Sequence, residues 1–383
     1  MKTIKKVVIY LISTLSVLAA LAYFTGNSHL FLGIYDTYLQ GRTKPGVEYT
    51  DIFAFREIKN KQAIPFAQKE NTNQNYLKST DSLNTKYGTL AYLVIHNDTI
   101  IHEKYFENYT PKTISNSFSM SKSILAVLTG IAVREGYLKL NDPVHKFIPE
   151  LVDSKDSALQ IIHLLQMTSG MNFDEDYGNP LGFMAKAYYG KDLVSLLKGY
   201  SLAIKPGTQH EYLGGNNLLL SITLQKVLGK SISEYAEEKL WQKIGAETPA
   251  RWILDHENGY EKSFTGFFAT ARDFAKIGKL WMQNGKYNNT QIVDSSYVAQ
   301  SIVPVGVKDD KKNICDYYGY AWWLTEFKAD KVFYMRGILG QYVFCIPSKN
   351  LIVVRLGKDR AAMSNGITPD DVAIYLEQAY QFL

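Results

Sequence analysis

Ser119-Met120-Ser121-Lys122 places a hydroxyl and an ammonium three residues apart. On a helix, residues i and i+3 share a face and their side chains meet. A serine at the first turn has its Oγ beside N–H groups without intrahelical partners, at the positive end of the dipole. A lysine desolvated in such a place sheds its proton more readily and can accept the serine's. The pair can therefore begin acyl transfer, with serine attacking a carbonyl and lysine as its base. The bare pattern recurs by chance about once or twice in a chain of this length. A second match, Ser195-Leu196-Leu197-Lys198, does occur. It falls inside the helical run 192–197, with no free N–H groups at the serine, and reads as a decoy. Taken alone, Ser119 reads equally well as an N-cap serine followed by a solvated lysine.

The flanking pattern puts a helix start at Ser119. Residues 110–118 are polar and extended, and 124–133 form an apolar run with buried-helix spacing. Upstream, 88–96 and 99–106 alternate like strands joined at Asn97-Asp98. Residues 140–151, with Pro143 and Pro149, read as a loop. From 161 to about 282 the pattern is mostly helical, with loops at 169–180 and 204–217. Helices are predicted at 222–228, 232–244 and 271–282. Strands return at 319–324, 332–337, 341–346 and 351–356. Turns as short as Pro347-Ser348-Lys349-Asn350 require antiparallel neighbours. Residues 369–382 read as a terminal helix with aspartates in its first turn. The order predicts a mixed α/β (α+β) fold: one antiparallel sheet flanked by helices, with an inserted helical lobe.

At 383 residues and 46% hydrophobic, the chain can bury a sizeable core as one large domain or two ordinary ones. A net charge of +5 without a basic stripe gives no footprint for nucleic acid. Neither C-x-x-C nor H-E-x-x-H occurs and the seven histidines are scattered, so no metal and no cofactor is expected. Cys315 and Cys345 are expected free and buried. Lys2, Lys5 and Lys6 precede an apolar run over 7–24, so residues 1–26 read as a signal anchor or a signal peptide. Ala20-Leu21-Ala22 offers a cleavage site, but the run continues through Phe24 and favours an uncleaved anchor. In either case the remainder is exported, which in a bacterium means the periplasm, anchored in the inner membrane by residues 7–24. Residues 27–80 read as a linker and N-terminal extension, and 81–383 as the catalytic domain.

Six landmarks in order carry a resemblance. They are Ser117-Phe118-Ser119-Met120-Ser121-Lys122-Ser123, then His163-Leu164-Leu165-Gln166-Met167-Thr168-Ser169-Gly170, then Pro206-Gly207-Thr208 with Tyr212. Ala269-Thr270-Ala271-Arg272-Asp273-Phe274-Ala275, Tyr318-Gly319-Tyr320-Ala321-Trp322-Trp323 and Gly337-Ile338-Leu339-Gly340-Gln341 follow. Over roughly 87–356 the chain resembles the serine β-lactamase and penicillin-binding-protein-like superfamily, in its class C β-lactamase/esterase branch. Within that branch it looks closest to nylon-oligomer (6-aminohexanoate-dimer) hydrolases. The resemblance implies a β-lactamase/transpeptidase-like fold and a serine hydrolase acting on a small-molecule or short-peptide ester or amide. It casts Ser119 as the acylated nucleophile, Lys122 as its base and Tyr212 as a proton shuttle. It implies an oxyanion hole of the nucleophile's own N–H and a strand N–H near Gly340 or Gln341. It makes Tyr177 a lid residue over the substrate.

Two departures stand out. The Y-x-N element reads Tyr212-Leu213-Gly214, so its amide is missing, and Asn216 or Asn217 would have to reach back. At the K-T-G element, aligned on Gly337, the lysine position holds Met335. Strand alternation puts Met335 and Gly337 on one face, toward the substrate, and Arg336 on the other. The cation that would pair with a β-lactam or D-Ala-D-Ala carboxylate is absent, which favours an esterase or amidase. A D-amino-acid peptidase (DD-carboxypeptidase), a weak class C-like β-lactamase and a non-catalytic binding protein on the same fold are the rival readings.

Overall fold

The computed structural model describes residues 2–42, 45–48, 52–69 and 78–383. Helix α1 (Lys2–Phe24) is apolar and none of its apolar window is buried. It closes through Gly26 at φ 75°, with the Asn27 N–H on the Ala22 carbonyl at 2.7 Å. A left-handed glycine of this kind terminates helices. Helix α2 (His29–Asp36) follows at once. Where the sequence predicts an irregular extension over 27–80, the described residues carry α2, strand β1 (Phe55–Ile58) and strand β2 (Ala67–Gln68). Residues 43–44, 49–51 and 70–77 of that stretch lie outside the described residues.

Strands β3 (Thr89–His96) and β4 (Thr99–Tyr105) form the expected hairpin, with Asn97 and Asp98 both at positive φ, as a tight primed turn demands. The short strand β5 (Ser115–Asn116) leads into helix α3 (Met120–Arg134), and helix α4 (Gly214–Leu228), within the helical lobe, starts earlier than the predicted 222. Two strands, β6 (Ala250–Ile253) and β7 (Phe267–Ala269), interrupt the stretch predicted as helical. Three or four residues are too few to show an alternating pattern. Helix α5 (Ala271–Met282) matches its predicted bounds. Strand β8 (Trp323–Phe327) starts later than predicted, because Ala321 takes a left-handed φ of 58° and turns the chain just before it. Strands β9 (Asp330–Gly337), β10 (Gln341–Ile346) and β11 (Leu351–Gly357) and helix α6 (Asp371–Tyr380) complete the chain.

The main sheet runs β8-β9-β10-β11-β3-β4-β2, antiparallel except for the β2–β4 pair. Its residues alternate between two apolar layers. Leu93, Ile95, Val343 and Val354 join the cluster that contains α3 and α5, and Tyr92, Val94, Tyr342 and Phe344 join the one that contains α6. Burial on both faces explains why these strands read as apolar runs. A smaller sheet, β1-β6-β7-β5, was not visible in the sequence. Cys315 and Cys345 are free and buried, as expected.

Candidate active site

The small sheet sets up the turn into α3. Ser117 donates its N–H to the Phe267 carbonyl at 2.8 Å, and the Phe118 N–H goes to Asn116 Oδ1 at 2.8 Å. Phe118 is at φ 43°, a left-handed conformation that costs a non-glycine residue about 1–3 kcal/mol. This strained turn delivers Ser119 to the N-terminus of α3. Its backbone N–H meets no acceptor among the described residues. One turn on, Lys122 is buried and its Nζ donates to Ser119 Oγ at 3.0 Å and to the Phe264 carbonyl at 2.9 Å. The same Nζ lies 5.0 Å from the centre of the Tyr212 ring. The fold thus brings Ser119, Lys122 and Tyr212 together. Ser195, by contrast, sits exposed within the short helix Leu193–Leu197.

Tyr212 packs against Trp323 and Tyr318, with ring centres 5.3 and 5.9 Å away. Two residues later, the Gly214 N–H at the start of α4 donates to Glu175 Oε2 at 2.6 Å. A Cβ at 214 would lie 3.3 and 3.5 Å from the two Glu175 oxygens. A carboxylate from the 169–183 loop therefore fills the place of the missing amide. Its other oxygen accepts the Tyr177 hydroxyl at 2.8 Å. Burial pushes the Glu175 carboxyl up from its ordinary range, while the Lys122 ammonium and the Gly214 N–H pull it back. Neither candidate asparagine bonds Lys122. Asn216 Nδ2 points at Met167 Sδ, 3.4 Å away, and Asn217 accepts from Ser263 Oγ through its main-chain carbonyl. Sequence reasoning missed Glu175. Its only signal was an acidic residue in a loop, and Gly214 is 39 positions away.

A cavity of about 430 Å³ opens at Ser119, lined also by Phe118, Tyr177, Met184, Phe264 and Ile338. Tyr177 stands at its mouth, 58% exposed. Three of the other predicted binding residues are elsewhere. Met335 is fully buried in the core beneath α3, because residues 333 and 335 of β9 point into the layer between sheet and helix. Arg336 is on the opposite face, its guanidinium 3.2 Å over the Trp323 ring and donating to the Ile367 carbonyl. Gly340 packs against Arg355, and the Gln341 side chain bonds the Ile338 and Gly357 carbonyls. Gly337 is buried where a Cβ would meet the Ser117 carbonyl at 2.3 Å, so it lets β9 approach the Ser119 turn. The residue that reaches the cavity from this strand end is Ile338, whose N–H has no acceptor among the described residues. A larger cavity, about 830 Å³, runs beside β8 and contains none of these groups.

The fold and the contact of Ser119 with the buried Lys122 define a serine hydrolase of β-lactamase type. The chain belongs to the Beta-lactamase family, whose model matches residues 74–373. It is similar to the 6-aminohexanoate-dimer hydrolase of Paenarthrobacter ureafaciens, with 24% identity over 70% of this chain and 72% of that one. Among solved structures it resembles a 6-aminohexanoate-dimer hydrolase homologue from Bacillus anthracis (TM-score 0.68, 20% identity, 87% of this chain and 91% of that one). It also resembles a family VIII carboxylesterase (TM-score 0.62, 17% identity, 80% and 95%). These structural likenesses establish the predicted fold.

Proposed function

We propose that the protein hydrolyses an ester or amide through an acyl-enzyme on Ser119. The observation that carries this is the 3.0 Å contact between Lys122 Nζ and Ser119 Oγ at a helix N-terminus. Lys122 takes the serine proton as Oγ attacks the carbonyl carbon. The N–H groups of Ser119 and Ile338 receive the oxyanion, and losing one such donor costs about 3 kcal/mol. Tyr212 passes a proton to the leaving group, and water then releases the acid. Tyr177, tethered to Glu175, closes over the cavity and limits water.

The lining supports an uncharged acyl group. None of its described residues is Asp, Glu, Lys or Arg, so a β-lactam or D-alanine carboxylate finds no partner cation. Helix α1 supports export, as an uncleaved anchor or a signal peptide. Intact-mass spectrometry after a fluorophosphonate tests the chemistry. A single adduct on wild type and none on Ser119→Ala is expected. An unmodified wild type would sink the reading. Stable labelling by a fluorescent penicillin would favour the peptidase or β-lactamase alternative.

A further inference from the structure

We infer that the substrate is an acyl ester resident in a bilayer, reaching Ser119 past α2 from the membrane in which α1 is seated. This rests on the serine-hydrolase reading above. Helix α2 is a wall of the Ser119 cavity, facing it with Leu30, Gly33, Ile34 and Thr37. These residues precede the 74–373 stretch that matches the family model. The helix is firmly docked. His29 Nε2 donates to the Pro180 carbonyl at 2.8 Å, on the loop that carries Tyr177. The Tyr189 hydroxyl donates to Asp36 Oδ2 at 3.2 Å, and Gly33 admits the Tyr189 ring, which a Cβ there would meet at 3.3 Å.

The outer side of the same helix is apolar too. Phe31 and Tyr35, one turn apart, are 43% and 51% exposed, and Leu39 beyond them is 70% exposed. A helix apolar all round belongs in a core or a membrane, and a contiguous exposed patch marks a contact surface. Helix α1 decides which surface. Its 22-residue segment Thr3–Phe24, apolar from residue 7 on, has the length of a bilayer span and ends at Phe24. Only four residues separate it from α2, at most roughly 14 Å if fully extended. Thr25 N–H on the Leu21 carbonyl and Asn27 N–H on the Ala22 carbonyl keep that link shorter still. A headgroup layer is roughly 5–8 Å deep on each side of the hydrocarbon. So α2 starts at headgroup level, where tyrosines and phenylalanines partition well. The cavity that α2 shares with Ser119 is lined by no Asp, Glu, Lys or Arg among its described residues, and that lining suits an acyl chain. In the reaction the ester C–O bond breaks, the acyl carbon joins Ser119 Oγ and the alcohol leaves with a proton. Water then adds to the acyl carbon and the fatty acid departs.

The test uses the full chain in phosphatidylcholine vesicles with two esters of one leaving group, p-nitrophenyl acetate in solution and p-nitrophenyl palmitate in the bilayer. Wild type should show a kcat/KM at least about tenfold higher on palmitate, since each buried methylene adds affinity. The double variant Phe31→Glu/Leu39→Glu touches neither the cavity nor the catalytic groups. It should keep acetate turnover and lose about tenfold on palmitate, as charges leave the interface. Palmitate hydrolysed no better than acetate, or a variant unchanged on palmitate, would overturn the bilayer substrate while a fluorophosphonate adduct on Ser119 still upheld the hydrolase reading. Failure on both esters with no adduct would remove the hydrolase reading and this inference with it.

Discussion

Glu175 Oε2 accepts the Gly214 N–H at 2.6 Å and occupies the space that a side chain at 214 would fill. One carboxylate thus caps the first turn of α4, holds the Tyr177 hydroxyl and faces the Lys122 ammonium. Where the resemblance leads one to expect an asparagine two residues after Tyr212, the chain has Gly214 with a carboxylate from a loop 39 positions away against it. A charge-assisted hydrogen bond is roughly twice as strong as a neutral one, so this bond also ties the loop down.

Glu175→Ala should therefore lower kcat/KM on a small ester by about tenfold or more, from loss of a charge-assisted bond. Gly214→Asn alone should also be impaired, because its amide collides with the carboxylate. Combining the two restores an amide beside Tyr212 and should recover activity relative to Glu175→Ala. Measuring all four proteins closes the cycle, and a double variant no better than the sum of the singles would leave Glu175 with a structural role only.

Arg355 is fully buried and donates to the carbonyls of Leu339, Gly340, Asp359 and Tyr87. It fixes the turn after β9 and hence the orientation of the Ile338 N–H. Gly340, at φ 79°, would place a Cβ 1.9 Å from that guanidinium. Gly340→Ala is expected to destabilise by about 2 kcal/mol or more, from strain and overpacking together. Urea denaturation reads this directly, and a midpoint equal to wild type would contradict it.

Met335→Lys looks like the change that would restore a carboxylate-binding cation. Its side chain is enclosed in the core, so the ammonium would have no solvent and no partner. Loss of several kcal/mol of stability is expected, with no gain in nitrocefin hydrolysis. A well-folded variant that hydrolyses nitrocefin would show that residue 335 reaches the cavity after all.

Lys262 gives a pH dependence. Burial lowers its pKa from 10.5 to about 7, with Asp255 opposing the shift. Its Nζ donates to the Ala187 and Gly190 carbonyls at 2.9 and 2.7 Å. Between pH 7 and 10.5 the unfolded chain holds a proton that the folded one lacks, so this group's contribution to stability rises with pH across that window. Below about pH 7 both states are protonated and the penalty of the buried charge is fully present. Melting curves from pH 6.5 to 9.5 should show wild type gaining on Lys262→Met as pH rises. A constant difference between the two would rule the shift out.

Much of the architecture was legible because its signals are local and long enough to repeat. The hairpin at Asn97-Asp98, helix α5 and strands β10 and β11 carry five or more residues of clear pattern with turn residues at their ends. Strands β1, β6 and β7 were not legible. They are three or four residues long, and the small sheet closes only through distant pairs such as Phe55 with Ile253 and Ser115 with Ala269.

For the site, the sequence by itself determined the serine–lysine spacing, the family landmarks and the absence of a lysine at residue 335. Residues three apart on a helix must meet, whatever surrounds them. Only the tertiary structure decided which carboxylate stands beside Tyr212, that Ile338 rather than Gly340 or Gln341 reaches the cavity, and that α2 walls it. Those contacts join segments tens to hundreds of residues apart. They depend on strand register and loop packing, which no local pattern encodes.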